Sequence, residues 1–495
     1  MTRYDSMNLA KEMMYSQRLP EAINILTILD KKYPDEENVQ YLYSLALYWN
    51  KDYNNTLAYI RSTAKPTRGL NLHYGKILFE LNRLNEAQRF LSAYLKSHEY
   101  DAEALLLLAK ISYWQGGPTN KSLEFINRVL TNDPLHSEAL QLKEELILNT
   151  APQLIVNASY YQDSQPIQAM MYATRLSFYH NSWFQPAVQL NTNHYAGGEQ
   201  AVLASFSNRM TFPNTKTELE LISGIFSNNW SSEVVPTWSL GIKQKTLDNL
   251  FISADIGKAP YLYTLASIGQ NVMPLSIATS ITKESNVGWT GNMTLQKWTF
   301  IDENQIRSLS SWVLVPIVKH PVLTLNIGYA FMMAHADHNR FTLEKPAVQP
   351  MRFEEVLPGV FDPYFTPQNQ RVHAALAKVD INFSKKIRAS LNSNIGVHAT
   401  IDNPNFINYG APAPMVPITG NGPASRPNPT PKTFESENIH LVLIPTTYLP
   451  IDIKGRLAMD LGRCFTLHTE WSYLSTIYFK SQTVNVGFNW KLAKS

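Results

Sequence analysis

The 495-residue sequence is short of charge, short of cysteine and without a long apolar run. Charged residues make up 17% of the chain, below the roughly 25% of ordinary soluble domains. Because Cys464 is the only cysteine, an intrachain disulfide and a four-cysteine zinc site are both excluded. The sequence has no stretch of about 18 consecutive apolar residues, so a transmembrane helix is not expected.

Motifs of catalysis and of nucleic-acid binding are also missing. The sequence has no Gly-x-Ser-x-Gly elbow, no His-Glu-x-x-His pair, no phosphate-binding Gly-rich loop and no cysteine cluster. We therefore expect neither an enzyme nor a protein with a metal or a cofactor. The net charge of +3 is too small to indicate a nucleic-acid partner.

Residues 6–149 carry a helical pattern that repeats in four units. In each unit, one small residue is followed in the next helix by a second: Ala10 and Ala22, Ala46 and Ala58, Gly75 and Ala87, Ala109 and Ser122. Small residues let paired helices approach closely, and Pro34 and Pro134 follow the first and last pairs, where proline ends a helix. The pattern resembles tetratricopeptide repeats and predicts a solenoid over residues 1–149, which is a binding scaffold. A generic helical bundle is the alternative.

After Thr150 the helical period gives way to short alternating runs. In the last run, apolar residues alternate with polar or small ones: Val484, Val486, Phe488, Trp490 and Leu492 with Asn485, Gly487, Asn489 and Lys491. Such alternation indicates a strand with one apolar and one polar face. Roughly 16 runs of about ten residues are present, the length at which a tilted strand crosses a bilayer. The sequence therefore predicts an all-β transmembrane barrel of roughly 16 antiparallel strands over residues 150–495.

A soluble all-β domain, such as a propeller or a β-solenoid, is the alternative to the barrel. No blade-length or solenoid-length repeat is visible after residue 150. The polar faces are rich in small and amide side chains, which suits a water-filled lumen. We therefore predict an outer-membrane barrel in contact with lipid. Because Met1 is not followed by an apolar leader, we interpret the leader as removed or the start as lying upstream.

Two long connections stand out among the alternating runs. One covers residues 335–369, and the other covers residues 402–436 and is rich in Pro, Gly and Asn. Long loops on one side and short turns on the other are typical of outer-membrane barrels. Either connection has the length to fold inward and plug the lumen.

Helical repeats fused N-terminally to a barrel resemble the exporters of bacterial exopolysaccharides, namely the outer-membrane subunit of cellulose synthase and the poly-N-acetylglucosamine export porin. The family-like motif Tyr364, Phe365, Pro367 and Gln368 carries Thr366 where the cellulose exporter has Ser. Residues 453–492 also resemble that family's closing hairpins. The resemblance implies passive export of a polysaccharide chain. It also implies that the repeats lie in the periplasm and dock periplasmic or inner-membrane synthase components. We interpret the motif as a loop anchor rather than a polymer contact.

The alternation also predicts which charged side chains point into the lumen. The candidates for the lumen or polymer path are Arg175, Glu218, Glu220, Lys243, Asp255, Lys378, Asp380, Arg388, His468 and Glu470. Because acidic and basic residues are nearly balanced in this set, we expect a neutral polymer, such as a glucan of the cellulose type. For any one of them, the simpler interpretation is an ion pair with a neighbouring strand that stabilises the wall.

A different export task is the main alternative function. Surface-lipoprotein assembly modulators also join helical repeats to a barrel, and such a protein would move a polypeptide client. A soluble scaffold is a third interpretation. The Tyr-Phe-Thr-Pro-Gln stretch at residues 364–368 favours the polysaccharide exporter.

Overall fold

The computed structural model describes residues 2–63, 70–247, 249–285, 288–344, 354–409 and 439–493, with Glu355 described by its backbone alone. Helices occupy the N-terminal part and strands the remainder. The predicted fold class is confirmed: a tetratricopeptide-repeat-like helical region precedes a closed antiparallel β-barrel of 16 strands. Among the described residues, no helix is both long and apolar enough to cross a membrane.

The helical unit packs consecutive helices as antiparallel pairs. Within the described residues its helices are α1 (Arg3–Tyr15), α2 (Leu19–Lys32), α3 (Glu37–Trp49), α4 (Tyr53–Ser62), α5 (Leu70–Glu80), α6 (Leu84–Leu95), α7 (Ala102–Trp114), α8 (Thr119–Asn132) and α9 (Ser137–Thr150).

The same turn joins the two helices of each pair. Its left-handed residue is Gln17, Lys51, Asn82 or Gly116, each with a positive φ. The next residue along the chain donates its N–H to the carbonyl oxygen five residues earlier, at 2.8–3.1 Å in the four turns. This is the Schellman arrangement, which satisfies the free carbonyls at a helix end. The four repeated turns define the repeat directly from the backbone.

The repeated turn corrects the predicted alignment of the second unit. Ala46 is buried but Ala58 is exposed, so the predicted contact between them is wrong. Counted from the turn at Lys51, the residues equivalent to the small pairs of the other units are Ser44 and Thr56, both fully buried. Their hydroxyls donate to carbonyl oxygens four residues earlier, at 2.9 and 2.8 Å. Because a helix satisfies these hydroxyls internally, Ser and Thr serve here as small packing residues.

The other predicted small residues lie where paired helices touch. Ala10, Ala22, Ala87 and Ala109 are buried, and a Cβ placed on Gly75 would lie 2.6 Å from the Leu91 side chain. A larger residue at position 75 would therefore push α5 away from α6. The close contacts support two apolar clusters that run through the helical unit.

The second part of the chain is a sheet that closes on itself. Its strands are β1 (Gln153–Asp163), β2 (Gln168–Ser177), β3 (Gln185–Tyr195), β4 (Gln200–Phe212), β5 (Thr217–Asn228), β6 (Val235–Leu247), β7 (Leu250–Lys258), β8 (Leu275–Lys283), β9 (Thr290–Thr299), β10 (Gln305–Lys319), β11 (Leu323–Ala336), β12 (Phe341–Leu343), β13 (Glu355–Leu357), β14 (Gly359–Phe361), β15 (Gln370–Asn382), β16 (Ile387–Asn408), β17 (Ile439–Tyr448), β18 (Ile451–Asp460), β19 (Phe465–Ser475) and β20 (Lys480–Lys491). The barrel wall follows the order β1 to β11, β15, β16, β18, β19, β20 and back to β1.

One hairpin extends beyond the wall. The first half of β16 pairs with β18, and its second half pairs with β17. β17 and β18 therefore follow one line, interrupted at Leu449 and Pro450. The predicted loop at 402–436 is wrong for its first seven residues, since residues 402–408 belong to β16. Residues 410–438 lie outside the described part of the chain.

The two ends of the barrel differ in their connections. The end where β1 begins has the connections 178–184, 213–216, 248–249, 284–289, 320–322, 383–386 and 461–464. At the three longest connections, 259–274, 337–369 and 409–438, the chain leaves and re-enters the wall at the opposite end. We call these the short-turn end and the loop end. The predicted connection at 335–369 contains the short strands β12, β13 and β14.

The helical unit meets the barrel at the short-turn end. α9 ends at Thr150 and β1 begins at Gln153, which leaves two residues between them. The Gly116 carbonyl oxygen accepts a hydrogen bond from the Ser182 N–H at 2.9 Å. Arg463 forms an ion pair with Glu144. The helices thus contact two of the short turns.

The outer face of the wall is apolar and exposed. Val486 is 51% exposed and Leu295 is 52% exposed, although both lie inside long strands. Large apolar side chains are exposed in the same way on most wall strands, including Val188, Leu190, Leu221, Ile225, Ile252, Ile277, Met293, Ile327, Leu391 and Leu457. A soluble protein rarely exposes so continuous an apolar band, whereas a membrane barrel places it in lipid. The fold therefore fits the outer membrane.

The buried His73 makes the helical unit sensitive to acid. Its Nε2 lies 2.8 Å from the Ser44 hydroxyl, and its ring packs on Tyr41 at 4.2 Å. Burial, with a smaller contribution from the charge of Lys76, lowers the pKa of His73 to about 4. Above about pH 6.5 the ring is neutral in both folded and unfolded chains. Between pH 6.5 and 4 the unfolded chain binds a proton that the folded chain excludes, so stability falls as the pH falls.

We expect the opening free energy of α3 and α5 to fall by about 3 kcal/mol between pH 7 and pH 4. Hydrogen exchange of the α3 and α5 amides in the full-length chain measures this free energy. The His73→Gln variant keeps a neutral hydrogen-bonding group and loses the titration, so its amides should show a much flatter dependence. Equal pH dependence in both proteins would contradict the assignment to His73.

Candidate functional site

The register of the strands fixes which side chains face the lumen. Directly opposed residues on neighbouring strands share a face of the sheet. Outward residues are the exposed apolar ones, so the alternate positions point inward. Inward amides and hydroxyls bond across the closing strands: Gln153 Nε2 donates to Asn489 Oδ1 at 2.7 Å, and the Ser159 hydroxyl to Asn485 Oδ1 at 3.2 Å. The lumen is therefore lined by polar groups at the point of closure.

All ten charged or His candidates lie on the inward face by this register. They are Arg175, Glu218, Glu220, Lys243, Asp255, Lys378, Asp380, Arg388, His468 and Glu470. They are spread around the wall instead of being gathered at one point. A role in a polymer path stays a prediction for each of them.

Many of these side chains are held in ion pairs along the wall. Glu220 lies 3.8 Å from Arg175 and 3.7 Å from Arg209. Lys378 lies 3.5 Å from Asp380 within the same strand. Such partly exposed pairs add little to stability, but each cancels a charge that would otherwise act on a passing ligand.

Several partners in the lumen were missed by the sequence reasoning. Arg388 pairs with Asp460 at 3.0 Å and Glu470 with Arg456 at 3.3 Å, while Lys454 pairs with Asp452 at 3.3 Å. Arg209, Asp452, Lys454, Arg456 and Asp460 lie on the inward face of their strands, so the same alternation was a signal for them. Their inclusion keeps the two signs of charge balanced.

A cavity of about 880 Å³ opens in the lumen near the short-turn end. Trp312 and Leu314 of β10 line it, together with the inward side chains of β11, β15, β16 and β18, among them Asn326, Asn392 and Asn394. His320 and Pro321 of the β10–β11 turn line its edge at the short-turn end. We call it the Trp312 cavity. It combines one large aromatic ring with amide groups, as many binding sites for small polar ligands do.

The loop end is crossed by residues 361–365, which we call the mouth segment. On one side, the Thr264 hydroxyl donates to the Pro363 carbonyl oxygen at 2.6 Å, and the Phe365 N–H donates to the Tyr261 hydroxyl at 3.3 Å. On the other side, the rings of Phe361 and Phe365 both lie 5.0 Å from the ring of Tyr478.

These two contact points lie on opposite sides of the barrel. Tyr261 and Thr264 belong to the β7–β8 connection, and Tyr478 belongs to the β19–β20 turn. Eight wall strands separate them in one direction, β8 to β11, β15, β16, β18 and β19, and eight in the other, β20 and β1 to β7. The mouth segment therefore bridges the opening.

The family-like motif holds this segment in place. Tyr364 is 2% exposed, stacks on Phe300 at 3.5 Å and donates its hydroxyl to Asp302 at 2.6 Å. The Pro367 carbonyl oxygen accepts from the Ala336 N–H at 2.8 Å, and Gln368 Nε2 donates to the Ala336 carbonyl oxygen at 3.3 Å. These contacts are those of a loop anchor.

The anchor contains a charged carboxylate, Asp302, held between Tyr364 and Arg340. Burial and the hydrogen bond to Asp302 raise the pKa of Tyr364 to about 12. Burial opposes ionisation of Asp302, but hydrogen bonds from Tyr364 and Asn304 and the charge of Arg340 lower its pKa overall. Arg340 also forms an ion pair with Asp302. The carboxylate therefore stays charged at neutral pH and accepts the hydrogen bond from the tyrosine hydroxyl.

Comparisons with known proteins give the following likenesses. No family model matches the sequence, and no curated protein matches it. A solved structure described as a bacterial polysaccharide outer membrane secretin aligns with 69% of this chain and 99% of its own, at 11% identity and a TM-score of 0.49. CdiB from Acinetobacter baumannii aligns with 68% of this chain and 60% of its own, at 6% identity and a TM-score of 0.36.

The helical region has its own structural neighbours. A tetratricopeptide repeat protein from Parabacteroides merdae aligns with 29% of this chain and 57% of its own, at 12% identity and a TM-score of 0.26. At these identities and TM-scores, the alignments assign no function to the chain.

Loosening the mouth segment should open the pore. We expect the double variant Tyr364→Ala and Tyr478→Ala to raise single-channel conductance in planar bilayers about tenfold, because the Tyr364 anchor and the Tyr478 contact are lost while the wall is untouched. The control is Tyr172→Ala, which removes an exposed outward tyrosine of β2. An unchanged conductance in the double variant would show that the segment does not limit flow.

Proposed function

We propose that this chain exports an uncharged polysaccharide across the outer membrane through its barrel. The observation that carries the proposal is the chemistry of the inward face, where amides and hydroxyls predominate and many of the charges occur in opposite pairs. Such a surface hydrogen-bonds sugar hydroxyls and imposes no net charge on the path. Barrels of about 16 strands are wide enough to leave an aqueous channel.

A neutral glucan, of which cellulose is one example, is the cargo that this balance favours. A polycation would be better served by a surplus of carboxylates and a polyanion by a surplus of Lys and Arg. Around the cavity, Lys378 and Lys454 are compensated by Asp380 and Asp452 at 3.5 and 3.3 Å. The resemblance of residues 364–368 to the cellulose exporters' motif points to the same cargo.

The helical unit is proposed to lie in the periplasm. Outer-membrane barrels turn their short connections towards the periplasm and their long loops outward. The helices adjoin the short turns at Ser182 and Arg463. In this position the repeats would dock periplasmic or inner-membrane synthase components and bring the emerging polymer to the pore.

The proposed role is passive and requires no catalysis, metal or cofactor from this chain. The wall needs only to solvate the polymer and to keep it moving, with interactions weak enough for release. Passage requires the mouth segment to leave the position in which it bridges the opening. The contacts of Tyr364 and Tyr478 are the ones that must break or shift.

Deletion of the gene tests the proposal. We expect the mutant strain to lose one polysaccharide from its surface and medium, as measured by monosaccharide composition, and to retain that polymer or its fragments in the periplasm. Plasmid-borne wild-type chain should restore export. Unchanged carbohydrate, together with the loss of a surface-exposed lipoprotein, would instead support the polypeptide-export alternative.

A further inference from the structure

We propose that the Trp312 cavity is a binding site for a short stretch of uncharged pyranose polymer, with one sugar ring stacked on Trp312. The site rests on the proposed function and deepens it by naming where the polymer is first held. Trp312 supplies an aromatic surface, inward amides line the same cavity, and two of its lysines lie beside carboxylates.

Trp312 is an inward aromatic residue that is open to the lumen. It lies near the middle of β10, opposite Asn292 of β9 and Ala330 of β11, and it is 37% exposed. Because the side chain of Ala330 is small, it leaves space beside the Trp312 ring on the lumen face. A large ring that keeps this much exposure inside a pore leaves part of its surface available to a ligand.

Other tryptophans of the wall are placed differently. Trp298 also faces inward, but its ring is covered by Tyr261 at 5.4 Å and Phe300 at 6.3 Å. Trp238, Trp471 and Trp490 share the outward face with the exposed apolar residues. Trp312 therefore differs from these in combining an inward position with an uncovered ring.

A row of polar groups on the strands that follow β10 lines the same cavity as the ring. Asn326, Lys378, Asn392 and Lys454 oppose one another across β11, β15, β16 and β18. Asn394 and Asp452 form the next opposed pair on the same face. Amides supply both donors and acceptors, so the row can bond hydroxyl groups in either sense. A pyranose ring has hydroxyls around its edge and apolar C–H faces, which matches a cavity lined by both amides and an aromatic ring.

Two of the three lysines that line the cavity are offset by a neighbouring carboxylate. Lys378 and Asp380 are 41% and 38% exposed at their side chains, so both retain free hydrogen-bonding positions while cancelling each other's charge. Lys454 and Asp452 repeat the arrangement two strands away. Carboxylate and ammonium groups placed side by side bond neighbouring hydroxyls and attract neither a polyanion nor a polycation.

The position of the cavity fits a site of first capture. It lies at the short-turn end, the end that carries the helical unit, whereas the mouth segment bridges the opposite end. A polymer that enters from the helical side would reach Trp312 before it reached the mouth. The cavity is open to the lumen and its lining mixes polar and apolar side chains. We therefore expect binding to be weak and reversible.

Calorimetry on the full-length chain tests the site. The probe is cellohexaose, and the detergent must carry no sugar headgroup, so that it does not compete. We expect Trp312→Ala to weaken binding about tenfold, as loss of one aromatic contact implies, and Trp312→Phe to restore part of it. Asn392→Leu, which leaves the ring in place, should also weaken binding. The matched control, Trp471→Ala on the outward face of β19, should bind like the wild type.

Two results would overturn the site. One is equal binding by the wild type and Trp312→Ala, each verified as folded by heat-modified migration on a gel. The other is that the purified wild type does not bind cellohexaose, although deletion of its gene abolishes export of a neutral polymer. That second result would leave the proposed function intact. If deletion leaves all carbohydrate unchanged, the proposed function fails, whatever the calorimetry shows.

Discussion

The backbone pairing of β1 with β20 is the interaction on which the rest of the structure depends. Eleven opposed residue pairs, from Gln153 with Lys491 to Asp163 with Ser481, join the first strand to the last. In hydrocarbon an unpaired peptide group costs several kcal/mol, so an open sheet with the same exposed apolar face would not be tolerated in lipid. Closure removes both edges at once.

Closure also imposes two different solvents on every wall strand. Alternate residues of a strand face lipid and water, so each must suit its own environment. Val486 and Asn485, which are neighbours in sequence, therefore differ in polarity. The same constraint explains the paired charges, since inward Arg175 and Arg209 find their partner, Glu220, on the same inward face of the wall. It also places the Trp312 ring and the amides of β11 and β16 around one cavity. The alternation of inward and outward side chains thus determines which residues line the lumen.

The inward and outward faces of the strands were largely predictable from the sequence, because apolar and polar residues alternate with a period of two. The strand at residues 483–492 and the inward side of Glu218, Lys378 and Glu470 needed no three-dimensional information. The partners Arg209 and Asp460 required the register between strands, which alternation alone does not fix. The second helical repeat was misaligned because Ser44 and Thr56 replace the expected Ala residues. The bridge from Tyr261 to Tyr478 joins connections eight strands apart, and no local pattern encodes such a contact.

The most direct test of transport through this lumen is crosslinking in living cells. A photo-reactive amino acid is placed at Asn326, which faces the Trp312 cavity, or at Ile327, the next residue, which faces lipid. After illumination, the purified chain is analysed for covalently attached carbohydrate. The account predicts sugar adducts at position 326 and none at position 327. Polypeptide adducts at 326, or no adduct there in cells that secrete the polymer, would contradict it.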